Sequence, residues 1–352
     1  MTNLAALQDA LNKEFQEPMS DLVARSNPLL QGLTKKELAT DRIWLRHKAA
    51  SNHNPRPIAD GADVTITNPA SVRKAGVLDW STYISEFSLP KRLLGQVQNN
   101  PKMLGQLFLD EVQDAAKDLA DRLAGDIFGG DVATGLIGIK SIMDTANTYA
   151  GIDRAAAADA NAYWRGLVVD ASAADLSTNL LYDAEEAWFE RNLTELYGGE
   201  SPTIFTSKRL QRKYKELFES IAYDALGTSH FVNQANASGQ LGKTGVGFQG
   251  APIVADHNVD ATGDTADTSR MYILKPGSMF LACLKPNDDP DVARMQQLDA
   301  SKAPTAENIH VQIEVLGNTG ETVKGYVKTY VQLVTDKPSQ AGVVVKNVST
   351  VL

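Results

Sequence analysis

Apolar positions along the chain recur with two periods, and the switches between them mark its parts. Leu4, Leu7, Ala10, Leu11 and Phe15 fall at helical spacing before Pro18 and Asn27-Pro28 interrupt them. This predicts an N-terminal arm with one amphipathic helix. From residue 41 the period shortens. Residues 41–47 and 78–87 read as strands, separated by a polar, Asn/Pro/Gly-rich stretch over 51–62, a short β run at 64–67 and the basic pair Arg73-Lys74. Two strands around a long polar tip predict an extended hairpin. It holds too few apolar residues to fold alone, because an isolated two-stranded ribbon is marginal in water.

The longest helical pattern follows. Asn100 suits an N-cap and Pro101 the first helical position. Leu104, Leu107, Phe108, Val112, Ala115, Leu119, Leu123 and Ile127 make one stripe, and Gly129-Gly130 ends it. About 28 residues at ~1.5 Å each give a helix of roughly 42 Å. Residues 131–172 form a connector, and a second helix runs over 177–196 to Gly198-Gly199. A strand at 202–205 feeds a helix over 207–221, and another strand covers 248–256. Residues 271–274 and 279–282 are expected to pair around Pro276-Gly277. Residues 310–315 and 323–331 alternate around Gly317-Asn318-Thr319-Gly320, the pattern of a hairpin with one exposed face. No repeat of ~20–50 residues suggests a solenoid or propeller. The order implies an α+β chain.

Length and charge narrow the function. The chain has 352 residues, 43% hydrophobic and 22% charged, enough for two or three domains. A net charge of -9 argues against a surface built to grip nucleic acid phosphates. The charge is uneven. Residues 41–102 carry nine Lys/Arg and five Asp/Glu, a net +4, whereas residues 103–352 carry 21 and 33, a net -12. A basic segment beside an acidic body suits copies that attract one another; a chance imbalance of solvated charges is the plain alternative. The single cysteine, Cys283, lies among apolar neighbours and reads as a buried thiol in a chain made in a reducing cytoplasm. The first residues lack the cationic and apolar regions of a signal peptide, and no apolar run approaches the ~18–20 residues of a membrane span.

Signs of catalysis are weak. Residues 237–244 fit a loose phosphate-binding loop, but Gly245-Val246-Gly247 follows where that chemistry needs a helix N-terminus. Asp256, Asp260, Asp264 and Asp267 lack the spacing of a calcium loop and read as solvated, as do Asp288, Asp289 and Asp291. His47, His53, His230, His257 and His310 form no zinc-binding pair. No Gly-x-Ser-x-Gly elbow is present. The expectation is a chain with no catalytic residue, no metal and no cofactor.

One stretch stands out. Asn147-Thr148-Tyr149-Ala150-Gly151-Ile152-Asp153-Arg154, followed by Tyr163-Trp164-Arg165, combines a Gly turn, a guanidinium fork and a Trp anchor. Read from the residues, Gly151, Asp153, Arg154 and Trp164 make a structural joint between two parts of a domain, of a kind any α+β protein could hold. The stretch also resembles a segment of the major capsid proteins of tailed bacteriophages, where a Thr-Tyr-Gly-Gly-Ile-Asp-Arg-like run precedes a Trp-Arg pair. Ala150 replaces the first glycine, read as a mild departure. The runs Pro202-Thr203-Ile204-Phe205-Thr206-Ser207-Lys208-Arg209, Phe248-Gln249-Gly250-Ala251-Pro252-Ile253-Val254 and Met271-Tyr272-Ile273-Leu274 are similar to that family's too.

The resemblance, to the family with the Hong Kong 97-like fold, covers nearly the whole chain. It implies an N-terminal arm over 1–40, an extended β loop over 41–95, and a peripheral domain with a long spine helix over 96–200, completed by about 308–345. An axial domain over 201–307 and a C-terminal tail over 346–352 complete the implied division. It implies a major capsid protein that self-assembles into the icosahedral shell around the double-stranded DNA of a tailed phage. The DNA is enclosed without sequence-specific binding, no membrane is involved, and assembly takes place in the host cytoplasm. Arg56, Arg73 and Lys74 are then the expected intersubunit contacts of the loop. Some relatives crosslink a loop Lys to an Asn of a neighbour; Lys74 has the donor's residue type, and no crosslink is assigned. Many relatives carry a scaffolding region of about a hundred residues before the loop. Only about forty precede it here, so a separate scaffolding protein is implied beside the portal, with a decoration protein as an optional partner. An encapsulin-like bacterial shell protein is the second reading, and a soluble α+β ligand-binding protein or enzyme the third.

Overall fold

The computed structural model describes residues 27–51, 71–90, 101–131, 135–146, 148–154, 164–192, 194–197, 202–225, 247–260, 265, 267–284, 305–306, 309–319 and 322–351. Helix α1 (Pro28–Gly32) is capped by Asn27, whose Oδ1 accepts from Leu29 N–H at 2.7 Å. Strands β1 (Thr34–Leu38), β2 (Ile43–Ser51), β3 (Ser71–Leu78) and β4 (Ser81–Pro90) precede the long helix α2 (Pro101–Gly129). Helix α3 (Ile139–Ile142) and strand β5 (Leu167–Asp170) lie in the connector. Helix α4 (Thr178–Asn192), strand β6 (Thr203–Thr206) and helix α5 (Lys208–Ala225) come next. Then follow β7 (Gly247–Phe248), β8 (Ala251–Ala255), helix α6 (His257–Asp260), β9 (Thr268–Leu274), β10 (Phe280–Leu284), β11 (Thr305–Ala306), β12 (Val311–Thr319), β13 (Thr322–Val334) and β14 (Gly342–Ser349).

Among the described residues, two six-stranded sheets organise these elements. The first has the order β11-β1-β10-β13-β12, with β4 on the other edge of β13. Its strands alternate: Tyr83, Phe87, Val327 and Val331 are buried, and α2 contributes Val112, Ala115, Ala116, Leu119, Ala120, Leu123 and Ile127 to the same core. The second sheet has the order β5-β14-β9-β6-β8-β7. Both its faces are covered, so its strands read as unbroken apolar runs. Tyr272, Leu274 and Val344 turn to the core shared with α2, while Met271, Ile273, Val343 and Val345 turn to a second core holding Leu181 and Trp188 of α4 and Leu210 and Tyr214 of α5. Helix α2 ties the sheets together at its C-terminal end, where the Phe128 ring lies 6.1 Å from Phe205 and 5.8 Å from Tyr272.

Most predicted elements are present, and several pairings differ. Strand β2 pairs with β3, and the 78–87 segment, as β4, pairs with β13 throughout Ser81–Pro90. The hairpin is therefore β2–β3. The 271–274 and 279–282 segments do not pair with each other. β9 joins the second sheet and β10 the first, and the turn at Gly277 (φ 68°) passes the chain between them. The single strand expected at 248–256 is a hairpin, because Gln249 (φ 46°) and Gly250 (φ 89°) both take left-handed backbone and reverse the chain. The expected tail at 346–352 is corrected too. Val348 and Ser349 pair with β9, and Lys346 with Asp170 of β5. The second helix ends at Asn192, short of the expected 196. The arm helix at 4–15 lies outside the described residues.

Candidate functional site: a joint at the root of the hairpin

The sequence between α2 and β5 folds into a buried knot of hydrogen bonds. Tyr149 and Ile152 exchange backbone bonds, N–H to O at 3.1 and 2.9 Å, closing a four-residue turn. Its central residues, Ala150 (φ 52°) and Gly151 (φ 73°), both take left-handed backbone. Glycine does this freely, whereas an L side chain pays ~1–2 kcal/mol. The replacement of glycine by Ala150 is thus not mild; the turn carries strain that its surroundings hold in place.

Those surroundings are specific. The Tyr149 hydroxyl donates to Thr335 O at 3.2 Å and accepts from Thr335 N–H at 3.0 Å, fixing the turn to the end of β13. Burial pushes the Tyr149 hydroxyl pKa well up, so it stays a neutral donor. Trp164, fully buried, donates Nε1–H to Tyr149 O at 3.1 Å, and its ring lies 5.6 Å from the tyrosine ring. Arg154 is fully buried as well. Its Nη1 donates to Ile142 O and its Nη2 to Ser141 O, both at 2.6 Å. These are carbonyls of the last turn of α3, which a helix leaves without intrahelical donors. The Tyr149 ring lies 5.8 Å from the guanidinium, and Arg165 Nε donates to Arg154 O at 2.7 Å. Burial draws the Arg154 pKa down to about 10, and the nearby Asp144 opposes that shift.

The hairpin meets this knot at its root. Ile43, Leu45 and Leu78 are in the main core, whereas Arg46 and Ala75 are exposed. At that boundary Val77 N–H donates to Ala150 O at 3.0 Å. Of the expected joint residues, Arg154 and Trp164 are brought together in the interior, Gly151 supplies the turn, and Asp153 stands exposed at the rim. Asn147 and Tyr163 lie outside the described residues, as does Arg56 of the hairpin tip. Arg73 and Lys74 fall on β3, opposite Lys48 and His47.

Sequence reasoning missed three members of the arrangement. Tyr149 was only a letter in the motif, and Thr335 lies 186 residues from it. Gln332 was hidden within β13, although a buried amide in the apolar run Val331-Gln332-Leu333-Val334 is a signal in itself. Its Oε1 accepts from Ile137 N–H at 3.1 Å and its Nε2 donates to Asp79 O at 3.2 Å, joining the connector to the segment between β3 and β4.

The weaker candidates resolve into structure. Asp256 is buried rather than solvated. It accepts from Asn258 N–H at 2.9 Å at the start of α6 and from Asn27 Nδ2 at 2.6 Å. His310 pairs with Glu37 at 2.8 Å across the first sheet. Cys283 is buried, and burial pushes its thiol up to about 12. The 237–244 loop lies outside the described residues. Among the described residues no group of three or more His, Cys, Asp or Glu is placed to hold a metal ion, and no helix is long and apolar enough to cross a membrane.

Solved structures of shell proteins match this chain over nearly its whole length. The cyanophage A-1(L) capsid protein matches over 92% of this chain and 93% of its own, with a TM-score of 0.63 at 15% identity. The chain has the Hong Kong 97-like capsid fold. The capsid of Myoviridae phage XM1 matches over 90% of each chain, with a TM-score of 0.54 at 11% identity. The SrpI encapsulin of Synechococcus elongatus PCC 7942 matches over 100% of this chain and 98% of its own, with a TM-score of 0.53 at 11% identity. No family model matches the sequence, and no curated protein does.

Proposed function

We propose that this chain is the major capsid protein of a tailed phage, self-assembling into the icosahedral shell that encloses its double-stranded DNA. The observation that carries the reading is the likeness to the cyanophage capsid protein, over 92% of the chain, at a TM-score of 0.63. The hairpin supports it independently. Next to its buried root, Arg46 and Ala75 are exposed, and Trp44 is 44% exposed. A two-stranded ribbon is marginal alone, so this one gains its stability from a surface it covers.

In this reading the chain works by holding shape. The β2–β3 hairpin lies across a neighbouring copy, with Arg56, Arg73 and Lys74 among its contacts. Helix α2 is the spine of a peripheral domain built on the first sheet. The second sheet, with α4 and α5, is the axial domain that meets its symmetry mates at a capsomer centre. No residue acts in catalysis and no cofactor is needed. The partners are other copies of the chain, a separate scaffolding protein, a portal and, optionally, a decoration protein. Its place is the virion, after assembly in the host cytoplasm, and the DNA is enclosed without sequence readout.

A bacterial compartment is the second reading, favoured by the complete overlap with the encapsulin. The higher TM-score of the cyanophage protein, 0.63 against 0.53, ranks the phage reading first. The test is deletion of residues 51–72. The tip sequence is polar, so in this reading the deleted chain should remain folded and soluble yet form no closed shells. Normal particles from it would refute the clasping role.

A further inference from the structure

We propose that the strained turn at Ala150 and Gly151 is the bearing that aims the hairpin, with Gly76 its matching positioning residue; the consequence for assembly rests on the shell reading above. Leu45 and Gly76 form a buried rung of the hairpin, and the next, Arg46 and Ala75, is exposed. A Cβ placed on Gly76 would stand 2.9 Å from Ala150 Cβ, 3.2 Å from Ala150 O and 3.6 Å from Leu45 Cβ. The next residue, Val77, donates its N–H to Ala150 O at 3.0 Å. One residue of the joint therefore holds the root of the arm by a hydrogen bond and leaves no room for a side chain at Gly76. That residue sits at φ 52°, in a turn clamped by Thr335 and Trp164. A backbone this constrained cannot drift, so the direction in which β3 leaves the core is fixed at a single point.

The geometry gives a lever. Ordinary carbon contacts fall near 3.5–4.0 Å, so a methyl at Gly76 must retreat by roughly 0.7 Å from its 2.9 Å approach. The buried rungs from Leu78 to Gly76 span roughly 7 Å, and Ser71 stands roughly 16 Å beyond at ~3.3 Å per residue. Tilting about the buried end at Leu78, roughly 23 Å from Ser71, displaces the hairpin there by about 2–2.5 Å.

The test uses the full-length chain with nitroxide labels at Ser51→Cys and Asp114→Cys. Asp114 is exposed on α2, and the native Cys283 is buried and does not compete. Pulsed dipolar spectroscopy on soluble subunits should show the label distance shifted by about 2–2.5 Å in Gly76→Ala. It should return in Gly76→Ala/Ala150→Gly, which moves the methyl across the contact. A clash with no positioning role would lower the melting temperature and leave the distance unchanged. If Gly76→Ala fails to fold, Ala150→Gly alone should broaden the distance distribution, since it removes the close contact. An unchanged distance in every variant that folds overturns the bearing. In electron micrographs Gly76→Ala should give fewer closed shells than the parent, and the double variant should recover them. A parent chain that never forms shells overturns the shell reading, and the label distances still decide the bearing.

Discussion

Replacing Arg154 by Lys keeps the charge and removes the fork, and the structure sets the size of the effect. The guanidinium holds Ile142 O and Ser141 O together, both at 2.6 Å, from a fully buried position. An ammonium is a point donor and can replace one of the two bonds with good geometry. Losing one charge-assisted bond costs ~1.5–3 kcal/mol. The weakened stacking on Tyr149 adds about 0.5–1 kcal/mol. The expected loss is about 2–4 kcal/mol, against a typical domain stability of ~5–15 kcal/mol. Arg154→Met loses both bonds but also removes the cost of burying a charge, a cost visible in the pKa drawn down to about 10. It should therefore cost no more than about 1 kcal/mol beyond Lys. Urea unfolding of dissociated subunits, followed by tryptophan fluorescence, measures both. The midpoint should fall without a change in slope. Arg154→Lys should still fold, yet build fewer or irregular shells because α3 and the turn are no longer locked together. A loss below ~0.5 kcal/mol, the range of ordinary surface substitutions, would show that the fork does not hold the joint.

Trp164→Ala should cost ~3–5 kcal/mol and give insoluble protein. Trp164→Phe keeps an aromatic ring but loses the bond to Tyr149 O and part of the indole's packing, for about 1–3 kcal/mol by thermal unfolding; a loss equal to that of Trp164→Ala would contradict the packing account. Asp170 is held at about 2 by Ser172 N–H, Asn347 and Lys346, below its ordinary 3.8. A depressed carboxylate stabilises above its unfolded pKa and loses that contribution as pH falls through its folded one. The melting-temperature gap between the parent and Asp170→Asn should accordingly shrink from about pH 4 to about pH 2; a constant gap would count against the hydrogen-bonding cause. Arg73→Glu/Lys74→Glu should slow assembly, measured by light scattering, more than it lowers subunit stability. Added salt should weaken the parent's contacts over a screening length of ~8–10 Å; equal effects on assembly and stability would argue against pairing between copies.

What the sequence made legible was local. Helix α2 could be read because its stripe repeats over many turns and Gly129-Gly130 ends it. The β12–β13 hairpin could be read because one face is buried and the other is not. The misreadings concern partners. Pro276-Gly277 looks like a hairpin turn, yet β9 finds β14 and β6, while β10 finds β1 and β13. Alternation shows which face of a strand is buried and does not show which strand lies beside it. The same limit made β4 look like an arm of the hairpin. Arg154 and Trp164 could be singled out because a guanidinium and an indole close to a Gly turn are large groups that need partners, and both are buried and hydrogen-bonded. Thr335 and Gly76 were not, since their roles exist only once distant segments meet.

The central claim is that this chain closes into a shell with its hairpin lying on a neighbour. Cryo-electron microscopy of the particles formed by the full-length chain, co-expressed with its scaffolding protein if the chain alone stays soluble, tests it most directly. The account predicts icosahedral particles in which β2–β3 of each subunit covers an adjacent copy and the second sheet faces the capsomer centre. A chain that remains monomeric under both conditions, or a shell whose hairpin folds back onto its own subunit, would contradict it.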